Sequence, residues 1–139
     1  MDKITIIVPG EPVGKGRPRM TRTGHAYTPA KTRAYERQVK ECFQEQIISK
    51  TPNFQITQKP LCVMLRAYFS IPRSKPKATR RKMATGETRP TKKPDLDNIV
   101  KTLDALNGLA FYDDAQIVTI KAEKYYSTEP RLEITIEEI

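Results

Sequence analysis

The 139-residue chain contains six aspartates, and five of them, Asp95, Asp97, Asp104, Asp113 and Asp114, fall in one short window. The protein as a whole carries a formal net charge of +9, so this acidic window stands against a basic background. Several carboxylates in one place suit a hard divalent cation such as Mg²⁺, whose shell is built from carboxylate, phosphate and water oxygens. Without a metal the carboxylates repel one another and their pKa values rise. With one, a phosphoryl oxygen is polarised and hydroxide is generated for in-line attack. A lysine in the same window, Lys101, is suited to stabilising charge on the phosphate or on the attacking water. The combination points to a Mg²⁺ site that cuts nucleic acid.

The spacing supports a cluster without forcing one. On an α-helix at about 100° per residue, Lys101 lies about 40° to one side of Asp97 and Asp104 about 20° to the other. The three make a polar stripe, Asp95 precedes the helix, and the Asp113-Asp114 turn can return alongside it. Ordinary structural roles exist for each residue. Asp95 is a candidate N-cap, and Asp97 suits the positive end of a helix dipole. Asp97 and Lys101 are one turn apart and able to pair, and Asp113 is a common turn residue. None of these roles accounts for the concentration, or for Asp104 toward the negative end of the helix.

The elements that must position the window follow from periodicity. Residues 3–8 are rich in β-branched types and end at Pro9-Gly10, which predicts a strand. Residues 28–49 open on Thr28-Pro29 and repeat Tyr35, Val39, Cys42, Phe43 and Ile47 at helical spacing. Residues 61–71 alternate with period two, and the second face is also partly apolar, so this strand is expected at the centre of a sheet. Residues 95–107 read as a helix closed by Gly108, with Leu96, Ile99, Val100, Leu103 and Leu106 on the apolar face. Residues 116–126 and 131–137 read as strands joined by a turn and expected to form an antiparallel hairpin. The order is β-α-β-loop-α-β-β. It predicts a single α+β domain over 1–139, with a mixed four-stranded sheet and two main helices.

Two stretches stay outside these elements. Residues 9–29 hold Gly10, Pro12, Gly14, Gly16, Pro18 and Gly24 together with Lys15, Arg17, Arg19 and Arg22. The glycine-lysine run is one residue short of a P-loop, and Gly16 replaces the hydroxyl residue that pattern needs. Nucleoside triphosphate binding is therefore rejected in favour of a loop that grips a phosphodiester backbone. Residues 72–94 carry Arg73, Lys75, Lys77, Arg80, Arg81, Lys82, Arg89, Lys92 and Lys93 against Glu87 alone. With almost no apolar anchor, this stretch is expected to be a mobile basic flap that orders on nucleic acid.

Composition excludes other chemistry. His25 is the single histidine, which rules out a histidine-based triad or metal site. Cys42 and Cys62 lack metal-ligand spacing and read as free thiols of a reducing compartment. No apolar run is long enough to span a membrane. The protein is expected to be cytosolic.

The run Pro94-Asp95-Leu96-Asp97-Asn98-Ile99-Val100-Lys101, then Asp104-Ala105-Leu106-Asn107-Gly108, then Phe111-Tyr112-Asp113-Asp114-Ala115-Gln116, resembles the RusA family of Holliday junction resolvases, as does the ending Arg131-Leu132-Glu133-Ile134-Thr135-Ile136. The resemblance covers most of the chain. It implies a homodimeric, Mg²⁺-dependent endonuclease, with Mn²⁺ able to substitute. Such an enzyme nicks four-way DNA junctions symmetrically and leaves 5′-phosphate ends. By motif position Asp95, Asp97 and Asp114 are the implied metal-binding carboxylates, supported by Asp113, and Lys101 is the implied catalytic lysine. The DNA-binding residues expected beside them are Lys15, Arg17, Arg19, Arg22, Arg73, Lys75, Lys77, Arg80, Arg81, Lys82, Lys92 and Lys93. Two alternatives remain open at this point: a nuclease selective for other branched DNA, and a DNA-binding protein without catalysis.

Overall fold

The computed structural model describes residues 3–139. Strand β1 (Ile4–Pro9) leads into a long loop that carries a two-residue hairpin, β2 (Arg19–Met20) and β3 (Ala26–Tyr27). Helix α1 (Ala30–Phe43) follows and continues through wider turns over Gln44–Ile48. Strand β4 (Leu61–Ser70), helix α2 (Lys77–Ala84) and helix α3 (Leu96–Val100) come next. The chain closes with strands β5 (Ile117–Ser127) and β6 (Arg131–Glu138).

The four long strands form one mixed sheet in the order β1-β6-β4-β5. β6 is antiparallel to both β1 and β4, and β5 is parallel to β4. The expected α+β class and four-stranded mixed sheet are what the chain forms. β4 shows why it must be internal. Leu61, Val63, Leu65, Ala67 and Phe69 are all buried, and the alternate positions from Cys62 to Tyr68 are half-buried. The helical face read from the sequence is the one α1 buries: Tyr35, Val39, Cys42, Phe43 and Ile47. These side chains join the inward face of the sheet and Ile99, Leu103, Leu106 and Phe111 in a single core. Each large side chain among them contributes on the order of 1.5–3 kcal/mol by leaving water. Cys42 and Cys62 are both free thiols. No helix among the described residues is long and apolar enough to cross a membrane.

Three local expectations are corrected. First, β5 and β6 are not a hairpin: β4 lies between them. Ser127 at the end of β5 stands beside Ser70, and Arg131 at the start of β6 stands beside Tyr68, so the turn crosses the end of β4. A central strand has backbone donors and acceptors along both edges, and inserting β4 here satisfies both. Second, residues 95–107 are not one α-helix. The chain tightens to a 3₁₀ helix over Lys101–Leu106. Third, the stretch 72–94 holds helix α2, anchored by the buried Met83 and followed by the buried Pro90.

Candidate active site

The acidic window rests on the core through its apolar positions. Ile99, Leu103, Ala105 and Leu106 are buried, which turns Asp97, Lys101 and Asp104 outward. The change to 3₁₀ geometry matters here, because side chains three apart eclipse in that helix. Asp104 is thereby brought over Lys101.

Asp95 occupies the N-cap position of α3, but its side chain makes no capping hydrogen bond. It pairs instead with Lys93, whose Nζ lies 3.0 Å from Oδ1 and 3.1 Å from Oδ2. The side chain of Asp97 makes no ion pair or hydrogen bond among the described residues, although its carbonyl accepts from the Lys101 N–H. Lys101 does not pair with it; its Nζ donates to Asn98 Oδ1 at 3.4 Å. Asp95, Asp97, Asn98 and Lys101 line a hollow of about 280 Å³ together with Lys15, Gly16, Arg17 and Pro18 from the glycine-rich loop.

A second hollow, of about 260 Å³, is lined by Lys101, Asp104 and Asp114 with Val100, Leu103, Ile117 and Ile120. Here the carboxylates crowd. Hydrogen bonding with Asp104 first, and with Asp113 second, pushes the Asp114 carboxyl up to about 6. Lys101 borders both hollows.

Residues remote in sequence hold these groups. Lys15 Nζ donates to Asp104 Oδ2 at 3.1 Å and lies 3.8 Å from Glu36 Oε1 of α1. The backbone N–H of Lys15 donates to the Asn98 carbonyl at 2.8 Å. Close approach requires Gly14, where a Cβ would stand 2.9 Å from Pro94 Cβ. Gln116 secures the Asp113-Asp114 turn. Its Oε1 accepts from the N–H groups of Tyr112 and Asp113, and its Nε2 donates to the carbonyls of Thr57 and Lys59. Lys124 of β5 donates to the Lys92 carbonyl at 2.6 Å and to the Pro94 carbonyl at 3.0 Å. The sequence shows Asn98 and Gln116 within the family motif but assigns them no role, and it gives no sign that Glu36 or Lys124 stands at the site, because a single polar residue in a helix or strand carries no charge concentration.

The remaining candidate residues divide by place. Arg17, Arg19 and Lys93 also line a larger hollow of about 560 Å³ beside the first. Arg22 is exposed in the small hairpin loop. Arg73, Lys77, Arg80 and Arg81 line a separate hollow at the far end of β4. Lys75, Lys82 and Lys92 are exposed. His25 lies in the hairpin loop, where its backbone N–H donates to Thr21 Oγ1.

The donor chemistry fits a hard divalent cation. All candidate donors are oxygens, Asp97 is unengaged, and the raised Asp114 marks a crowding that a cation would relieve. Among the described residues no three acidic, histidine or cysteine side chains form a ready-made cage. Asp95 and Asp97 line one hollow and Asp114 the other, so the three expected ligands are not gathered into one set, and substrate phosphates and water would supply the rest of a Mg²⁺ shell.

Comparison with known proteins follows the same lines. The chain is 39% identical over 145 residues to a protein of Bacillus subtilis (strain 168) called "Uncharacterized protein YqaN", covering all of this chain and 99% of that one. It is 45% identical over 51 residues to "Crossover junction endodeoxyribonuclease rusA" of Lactococcus phage r1t, a match that spans 35% of this chain and 39% of the phage protein. Residues 9–137 match the family described as "Endodeoxyribonuclease RusA", and the chain therefore belongs to the RusA family of endodeoxyribonucleases.

Proposed function

We propose that this protein resolves four-way DNA junctions by paired, symmetric nicks. It acts as a homodimer that uses Mg²⁺, or Mn²⁺ in its place, and leaves 5′-phosphate ends. The observation that carries the reading is the position of Lys101, which borders both the Asp95-Asp97 hollow and the Asp104-Asp114 hollow.

Asp95, Asp97 and Asp114 are the residues to hold the cation, with Asp113 in support. When bound, it would polarise the scissile phosphate and lower the pKa of a water. The chain's own residues do the rest. Lys101 places a positive charge where negative charge develops on the phosphate, and such a group acts with little reorganisation at the moment of reaction. Lys15 holds Asp104 in place. Lys124 and Gln116 fix the two backbone segments that carry the carboxylates. Arg17, with Lys15, gives the first hollow a basic wall against which a phosphodiester backbone can lie.

The test is a substrate panel: a synthetic four-way junction, a flap and a linear duplex of the same sequence, each with Mg²⁺. Paired nicks confined to the junction support the reading. Equal cutting of flap and junction would instead make the protein a general branched-DNA nuclease, and tight junction binding without cutting would make it an architectural protein.

A further inference from the structure

The cations of the stretch 72–94 are not spread evenly. Lys77, Arg80, Arg81 and Ala84 fall at i, i+3, i+4 and i+7 of α2, which places them on one face of the helix. With Arg73 they line a hollow of about 570 Å³ whose other wall is Ser70, Ile71, Ser127 and Thr128, at the ends of β4 and β5. No carboxylate lines this hollow. Other arginines on or beside the sheet are matched by acids: Arg66 and Arg89 by Glu123, and Arg131 by Glu133. Arg73, Lys77, Arg80 and Arg81 have no such partner among the described residues.

Two details mark the hollow as built for an anion. The Nε of Arg80 is buried and has no hydrogen-bond acceptor. A buried donor left in that state is costly, and guanidinium groups bind phosphate oxygens well. The hydroxyl of Ser127 already accepts from the Glu129 N–H at 3.0 Å and from Arg131 Nη1 at 3.2 Å. With both acceptor sites used, what it has left to offer is its proton. Glu11, which accepts from the Ser70 N–H, is not part of the lining. Arg66 Nε is buried in the same way but has Glu123 at 3.7 Å, whereas Arg80 has no acid beside it among the described residues.

We propose that this hollow is a phosphate-binding site that holds a backbone phosphate of the DNA arm, away from the phosphate being cut; this rests on the nuclease reading above. Lys124, which holds the Pro94 carbonyl ahead of Asp95, stands three residues before Ser127 on β5. The hollow therefore lies about 10 Å further along the strand. It anchors substrate and does no chemistry.

The experiment is the salt dependence of junction binding to the full-length protein, measured by fluorescence anisotropy without divalent metal. Wild type is compared with the double variant Arg80→Gln/Arg81→Gln, with Lys77→Gln, and with Lys50→Gln as a control outside the hollow. Each lost phosphate contact should lower the slope of log K against log salt by about 0.9. The expected result is a shallower slope and about tenfold weaker binding at low salt for the double variant. Lys77→Gln should lower the slope by about one and Lys50→Gln should leave it alone. Lys77 is exposed, so its variant answers the question even if the double variant misfolds. Unchanged slopes in a wild type that does bind the junction would overturn the anchor and leave the nuclease reading standing. Should the wild type bind no DNA, while inorganic phosphate saturably shifts the amide resonances of Ser127 and Thr128, the hollow serves a free phosphate, and both the anchor and the nuclease reading fall.

Discussion

Lys124 Nζ donates to the Pro94 carbonyl at 3.0 Å, which ties strand β5 to the peptide that immediately precedes Asp95. The same amine donates to the Lys92 carbonyl. Burial lowers its pKa, and the nearby Asp95 opposes that shift. Lys124 is thus a positioning residue. Lys124→Met keeps the length of the stem and removes the donors. A displacement of about 1 Å at a reacting group can cost about 100-fold in rate. Cleavage by the variant at saturating metal should fall by roughly that factor, with an unchanged circular dichroism spectrum. Wild-type cleavage would show that Asp95 is held without it.

Asp114 gives a pH signature. Its carboxyl titrates at about 6 in the folded protein against an ordinary 3.8, because Asp104 and Asp113 crowd it. A raised carboxyl favours folding in its protonated form. Its contribution to stability is fully present below about 3.8 and is lost as pH rises through about 6. In EDTA the melting temperature should therefore decline across that window, and Asp104→Asn should flatten the decline. Mg²⁺ at neutral pH should restore stability by relieving the same repulsion.

Gln116 is expected to act through the turn it secures. Gln116→Ala removes four hydrogen bonds that join Tyr112 and Asp113 to Thr57 and Lys59. The loss should be about 1–3 kcal/mol, read as a lower denaturation midpoint, with slower cleavage. Gln116→Glu should be worse. It keeps the acceptor for the two N–H groups but sets a carboxylate against two carbonyl oxygens.

Gly14 tests the contact between the glycine-rich loop and α3. A Cβ there would meet Pro94 Cβ at 2.9 Å and Asn98 Cβ at 3.1 Å. Overpacking of this kind typically costs about 1–3 kcal/mol. Gly14→Ala should destabilise the fold by about that much and push Lys15 away from Asp104, whereas a Cβ at Gly10 meets no atom within 4 Å and Gly10→Ala is opposed by the positive φ of 97°.

Much of this architecture could be read from the residues, for reasons that the same residues show. The face of α1 was legible because burial there is strictly periodic from Tyr35 to Ile47, and β4 because five alternate positions are sealed. Neighbour relations were not. The β5–β6 turn looks like a hairpin turn, and nothing local in it says that β4 will be inserted. α2 was invisible to an apolar periodicity, since its organised face is cationic and Met83 is its one buried residue. At the site, the aspartates announced themselves by concentration and motif. Their supports did not: Lys15 reaches Asp104 across 89 positions and Gln116 reaches Thr57 across 59, contacts that only the folded sheet creates.

The two hollows flanking Lys101 are proposed to work as one cutting centre. Asp97→Asn and Asp114→Asn test it, one in each hollow, with junction cleavage in Mg²⁺ measured beside junction affinity without metal. Each single change should lower cleavage at least about 100-fold, the scale on which removing one preorganised electrostatic group acts, while affinity is kept. Near-wild-type cleavage by either variant would contradict it and assign the chemistry to one hollow alone.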